Sequence, residues 1–470
     1  MACSSGSGSG TTPTDAGVDA TADAGVSPSV EIVGHADLGA RGMNAAIAVA
    51  GRYVYVGSRT DGDTHANAGV MIVDAQDPAH PVVVGQIGAP EESLLGMSSR
   101  ELRAVPDKNL LIVLNTSCST QLHSCQHLIQ RYPTTGGAAE TDNLRFYDIS
   151  TPTAPKLVAR HDFGTYPGHE SSKAHEFFLW RDPKNKDRIL LFFSTPTTPS
   201  LTVLDVSDPK NVTVLATWDA HTDAALTDNA ANAYLHSVSV SDDGNVAYLS
   251  YLAAGFFLVD TSDFASGAAS PKVKVLTPMD ARFDYTPPAT MGTHSAVRIP
   301  GRDLVFLTDE VYPPPAGLGC PWGWARLVDI SDPKKPTLAG EYKIAENDAT
   351  KCPDKLGGPL QTTFTAHNPT VTENLALVTW HSGGLQIIDT TDPTAAAQLV
   401  ELKPDPLPKV ATEDPMFSGN AIEMWSYPVI QDGLVYAVDV RNGLYILRYH
   451  GPYEDQIARR HFLEGSSNLR

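Results

Sequence analysis

Residues 326–336 read "RLVDISDPKKP". An apolar run leads into an aspartate, and a Ser-Asp-Pro turn follows. The phrase returns as "MIVDAQDPAHP" at 71–81, "RFYDISTPTAP" at 145–155 and "TVLDVSDPKNV" at 202–212. It returns again as "FLVDTSDFASG" at 257–267 and "QIIDTTDPTAA" at 386–396. A degenerate copy, "YILRYHGPYED" at 445–455, has Arg448 at the aspartate position. The repeated residues are Asp74, Asp148, Asp205, Asp260, Asp329 and Asp389, spaced 55 to 74 residues apart. Self-similarity at that interval marks a repeat architecture. The aspartate itself has a structural explanation, because its carboxylate can accept backbone N–H groups of the turn that follows.

Each unit keeps one internal order. An apolar strand comes first, then a tight turn such as "SDDGN", "PGRD" or "QDG". A second strand follows ("VAYLS", "LVFLT", "LVYAV"), then a loop and the strand that ends in aspartate. After the turn comes a short last strand such as "PTLAGEY". Four strands per unit and seven units predict an all-β, seven-bladed β-propeller. The last blade stops after its third strand, near Leu447, while "SVEIVGHADLG" at 29–39 reads as a strand without a blade. Closing the ring with that N-terminal strand would remove the exposed edges of an open array. The expected organisation is a disordered linker over 1–28, the propeller over 29–451 and a C-terminal tail over 452–470.

These phrases resemble the LVIVD-repeat family of bacterial exported and surface-anchored proteins. The resemblance covers about residues 30–450. It implies a propeller and carries no settled activity.

Composition bounds the function from outside. The 470 residues carry 42% hydrophobic side chains, 37 Gly and 35 Pro, which suits short strands joined by turns. A formal net charge of −20 argues against nucleic acid as a partner, since phosphate binding needs clustered Lys and Arg. No apolar run approaches the ~20 residues that span a bilayer. The opening "MACSSGSGSGTTPTDAGVDATADAGVSPS" is low in complexity. Its "AC" resembles a bacterial lipoprotein cleavage site at which Cys3 becomes the lipidated first residue. No apolar signal segment precedes it here, which reads as truncation for expression. A lipid anchor at Cys3 is then the expected membrane contact, on an exported periplasmic or cell-surface protein. Cys118 and Cys125 share a polar loop, and Cys320 and Cys352 flank one repeat, so two disulfides and one anchor account for all five cysteines. A Cys/His zinc cluster on "CSTQLHSCQH" is the competing reading, with a spacing that fits no standard zinc pattern.

The unusual features gather on one face. Turns at the bottom of the blades are short, whereas the top loops at 57–69, 115–143, 164–174, 219–234, 279–293, 310–325, 345–364 and 403–423 are long. Long loops on one face of a rigid scaffold build sites. The first residues of the seven innermost strands align as Asn44, Arg100, His175, His236, His294, His367 and Trp425. Four consecutive blades carry histidine there, at the top of the channel. Neutral imidazoles suit iron, copper or zinc. His175, His236, His294 and His367 are therefore expected to hold a transition metal, iron or copper ahead of zinc. The bland alternative is a histidine shared by descent, bonding only to a neighbouring blade. Asp309, Glu310 and His381 end second strands beside this ring, and are expected to orient ligands or move protons. Arg100, Tyr251, Trp380 and Trp425 are expected to line a substrate pocket. The layout is similar to that of carotenoid-cleavage oxygenases and of selenium-binding protein, whose longer motifs are absent here, and fold analogy does not give function. The reading is a monomeric, metal-dependent oxidoreductase or oxygenase acting on a small or apolar substrate. A noncatalytic surface-binding propeller and a metal-assisted lyase or hydrolase are the alternatives.

Overall fold

The repeated aspartates cap their own turns. Oδ1 of Asp74, Asp148, Asp205, Asp260, Asp329 and Asp389 accepts the backbone N–H two residues on, at 2.7–2.9 Å. These bonds come from a computed structural model that describes residues 27–62, 65–88, 97–117, 142–163, 174–196, 199–228, 233–284, 292–312, 319–351, 363–415 and 421–470. Each capped turn joins the third and fourth strands of an antiparallel sheet. Six sheets have four strands in chain order, and the seventh has five. The first strands of the seven blades are Asn44–Ala50, Met97–Val105, Glu176–Arg181, Ser237–Val240, Thr293–Arg298, Pro369–Val371 and Val429–Gln431. The chain is a seven-bladed β-propeller.

Composition explains the packing. The third strands "VMIVD", "LTVLD", "FFLVD" and "LQIID" are buried up to their aspartates, because a blade has neighbours on both faces. Among the described residues, large apolar side chains are exposed on the outermost strands, such as Val82 at 57% and Leu157 at 52%.

The N-terminal strand closes the ring as the repeats predict. Ser29–Ala36 pairs antiparallel with Gly443–His450, from Ser29 opposite His450 to Ala36 opposite Leu444. Arg448, the odd residue of the degenerate repeat, meets Glu31 of that strand at 3.0 Å. A Cβ on Gly34 would lie 2.0 Å from the Pro78 carbonyl oxygen, so the closing strand fits under blade 1 only as glycine.

Residues 452–470, set apart as a tail by sequence, fold into the propeller. A short helix, Glu454–Ala458, leads to strand Phe462–Glu464. That strand pairs antiparallel with Val429–Gln431 and becomes the fifth strand of blade 7, on the channel side. The last residues then cross the lower channel. Gly465 N–H donates to Thr370 Oγ1 of blade 6 at 2.9 Å. Leu179 N–H of blade 3 donates to the Ser466 carbonyl at 3.0 Å, and Asn468 N–H donates to the Leu179 carbonyl at 3.2 Å. Arg470 ends against Asp242 of blade 4 at 2.6 Å. The segment forms a floor. Its run of paired residues is too short to show a strand period, and its partners are far away in sequence.

Candidate metal centre

The four aligned histidines share a backbone position. The N–H groups of His175, His236 and His367 each donate to a carbonyl at the end of their blade's second strand, Ser194, Ser250 and Thr379, at 2.8–2.9 Å. Hydroxyls tie neighbouring blades together at this level: Ser194 Oγ donates to the His236 carbonyl and Thr308 Oγ1 to the His367 carbonyl, both at 2.5 Å. The consequence is a row of rings. Centroids of His175 and His236 lie 4.1 Å apart, of His236 and His294 4.0 Å, and of His294 and His367 3.9 Å. His381 extends the row, 5.1 Å from His367. It occupies the second position of the tight turn "WHSGG", where its φ of 31° is left-handed, as is Leu252 in the matching turn of blade 4.

Glu310 reaches into this row. Its N–H is anchored on the Gly292 carbonyl at 3.1 Å. Oε1 lies 3.2 Å from His367 Nε2 and 3.3 Å from His381 Nε2. Oε2 lies 3.7 Å from His294 Nε2 and 4.0 Å from His236 Nε2. All five residues are buried. Among the described residues, donors able to share an ion fall into two trios, His236–His294–Glu310 and Glu310–His367–His381, with the atoms of each within 4.8 Å of one another.

Hydroxyls behind the rings orient them. His236 Nδ1 lies 3.1 Å from Ser237 Oγ, His294 Nδ1 2.8 Å from Ser295 Oγ, and His381 Nδ1 2.8 Å from Thr363 Oγ1. Ser295 spends its one proton on Asn368 Oδ1 at 2.7 Å. It must therefore accept from His294, which puts the proton on Nδ1 and leaves Nε2 a bare lone pair. That Nε2 is buried without a hydrogen-bond partner.

Burial works against charge on His236, His294 and His367. It pushes His236 down to about 3 and His367 to about 4, against the opposing pull of Glu310. Burial also holds His294 well below the ordinary histidine range, helped by its imidazole neighbours. Burial alone would raise Glu310. The imidazoles of His294 and His367 and hydrogen bonds from His367 and His381 more than reverse this, leaving a carboxylate. Imidazole nitrogens and a carboxylate are the ligand types a transition metal takes, and His294 turns a bare lone pair inward.

The sequence expectations divide on this geometry. His236, His294 and His367 come together as expected, and Glu310 and His381 join them at ligand range. His175 stands outside both trios. Its Nδ1 and Nε2 lie 3.2 Å from the two terminal nitrogens of Arg100. A neutral imidazole has one acceptor nitrogen, so this is a guanidinium laid on a ring rather than a pair of hydrogen bonds. Arg100 also lies 5.8 Å over Trp425, and Trp425 meets His367 edge-on at 5.7 Å, so both belong to the ring of the site. Asp309 does not. Strand alternation turns it away from Glu310, and it pairs with Arg326 inside the blade. Tyr251 packs in the blade core, its hydroxyl bonding Ser200 Oγ and accepting the Ala220 N–H. Trp380 is likewise core, donating to the Phe364 carbonyl at 2.9 Å. Both end second strands, as the alignment requires, but their large rings fill the space between blades. Cys3, Cys118, Cys125 and Cys352 lie outside the described residues, as do both proposed pairings and the "CSTQLHSCQH" cluster.

Sequence reasoning misses two groups. Tyr312 bonds to Glu310, and burial followed by the Glu310 charge holds its hydroxyl well above the ordinary range. Below the histidines, the channel encloses Glu101, Arg103, Glu176 and Glu464. Arg103 lies 3.2 Å from Glu101 and 3.9 Å from Glu464. Burial, then the neighbouring Glu101, pushes Glu176 up to about 8. A polar residue directly follows each aligned histidine in "HE", "HS", "HS" and "HN". That pattern was the available signal for the hydroxyls and carboxylates under the row.

Residues 41–88 and 326–344 match the LVIVD repeat. The chain carries LVIVD repeats. The two matched segments fall in blade 1 and in the third and fourth strands of blade 5, and each holds the aspartate-capped turn. No curated protein matches the chain. Among solved structures it is similar to the periplasmic gluconolactonase PpgL of Pseudomonas aeruginosa, at 13% identity and a TM-score of 0.48, covering 86% of this chain and 98% of that one. It is similar to a Lactobacillus plantarum protein at 14% identity and a TM-score of 0.43, covering 76% and 84%. The β-propeller domain of Cps50 (Swd1) from Myceliophteria thermophila matches at 9% identity and a TM-score of 0.45, covering 87% and 97%.

Proposed function

We propose that this LVIVD-repeat propeller is a metal-dependent exported enzyme, an oxidoreductase or oxygenase acting on a small or apolar substrate at the top of its channel. One observation carries the reading. The bare Nε2 of His294 faces the Glu310 carboxylate at 3.7 Å in a buried site. Two lone-pair donors facing each other away from water repel, and a cation between them turns that cost into attraction.

Iron or copper would supply electron transfer there, and zinc Lewis acidity alone, which is the lyase or hydrolase alternative. His236, His294, His367, His381 and Glu310 would hold the ion, and Glu310 offsets its charge. Tyr312 stays protonated and spends that proton on Glu310, holding the carboxylate in place. Trp425 supplies an apolar wall. Arg100, laid on His175, adds positive charge at that end of the row. Export is supported by the disulfide state of Cys320, and the lipid anchor at Cys3 remains part of the proposal. Monomeric action on a small molecule is part of the proposal, and the acidic composition supports the absence of a nucleic-acid partner.

Metal analysis of protein supplied with iron, copper or zinc tests this. At least one ion per chain is expected from one of the three. His381→Ala should weaken it by about 100-fold or more, since outer partners alone are worth about 10–100-fold. His175→Ala should leave it in place. Sub-stoichiometric metal under every supply sinks the reading. The long top loops favour a second reading, a noncatalytic binding module, and that reading requires partner binding to survive the loss of the histidines.

A further inference from the structure

We infer that the histidine row holds two metal ions side by side, bridged by Glu310. This rests on the metal-centre reading above and concerns how many ions bind and which residues each one takes.

The two oxygens of Glu310 serve different histidines. Oε2 faces His236 and His294, at 4.0 and 3.7 Å. Oε1 faces His367 and His381, at 3.2 and 3.3 Å. Donors that each sit about 2.1 Å from one ion are about 3.0 Å apart at a right angle and about 4.2 Å apart across it. All four separations fall within that interval. The five donors nevertheless form two trios that share only Glu310. A single ion would have to draw both ends of the row inward, whereas two ions use the donors where they stand. Bridged ions about 3.5–4 Å apart are an established catalytic arrangement, and the 3.9 Å between the His294 and His367 rings, one from each trio, is of that size.

The supporting groups divide the same way. Ser237 and Ser295 hold the Nδ1 sides of His236 and His294, and Thr363 holds that of His381. Each ion would have two imidazoles and one carboxylate oxygen from the protein. Three protein donors leave positions open for water and substrate on both ions. One carboxylate against two divalent cations leaves the site positive, which suits anionic ligands in the open positions.

Untagged protein is loaded with Zn(II) or Cu(II), freed of excess by gel filtration, and its metal counted per chain. Two ions are expected in the wild type. His236→Ala and His381→Ala should each retain one, and the double variant none, with circular dichroism confirming the fold of each. The copper spectrum gives an independent readout. Carboxylate-bridged Cu(II) ions couple magnetically, so the wild type should lose most of its mononuclear paramagnetic resonance signal and either single variant should regain it. One ion in the wild type, with an uncoupled signal, overturns the pair and leaves the metal centre standing. No ion at all overturns both.

Discussion

Ser295 decides the chemistry of His294 through one proton. Its hydroxyl donates to Asn368 and accepts from the ring, and the lone pair on the far side of the imidazole follows. Glu176 is the matching case for a carboxyl. Its ordinary value is 4.5, and in the channel it rises to about 8 because it is buried beside Glu101. Between those values the folded protein keeps a proton that the unfolded chain releases, so stability falls as pH rises across that window. Above about 8 both states are ionised and this contribution is flat. Glu176→Gln should flatten the loss. The check is the denaturant midpoint at about pH 5 and about pH 9, where the wild type should fall further than the variant. Equal falls would remove Glu176 as the cause. The convergence of His236, His294 and His367 was legible because equivalent positions in a propeller point to one place. The choice of His381 over His175 was not, since it depends on a turn with left-handed φ and on where the Arg100 side chain lies.

Strands carry the repeat signal in proportion to their length. The third strand of each of the first six units is a run of five or six residues ending in a capped turn, and every one was readable. The inner strand of blade 7 has three residues, Val429–Gln431, and its channel-side partner Phe462–Glu464 has three more. Too few residues alternate in either for a period to appear. Their pairing is set by tertiary fit instead, and one glycine exposes it. A Cβ on Gly465 would lie 2.0 Å from the Pro369 carbonyl oxygen and 2.6 Å from the Tyr427 ring. Gly465→Val should therefore cost about 1–3 kcal/mol, the usual range for overpacking a filled interior. Chemical denaturation measures it, and an unchanged midpoint would mean that the floor is not packed against the channel wall.

The ring as a whole depends on its first described strand. Ser29–Ala36 contributes the outer edge of blade 7 and packs under blade 1. Deleting it bares the edge of Gly443–His450 and opens the contact between the first and last blades. The expected result is a lowered unfolding midpoint and concentration-dependent association through the free edge, read by light scattering. A monodisperse, equally stable variant would show that blade 7 closes without it. Fold class, blade number and this closure were legible because repetition averages out local ambiguity. The floor was not, because it occurs once. Yet the floor constrains every use of the histidine row. A channel crossed by Gly465, Ser466 and Asn468 is a cul-de-sac. A long polymer cannot be threaded through it, and only a chain end or a free small molecule can reach the row. Anything that reaches the histidines therefore has to arrive and depart on the side away from this floor.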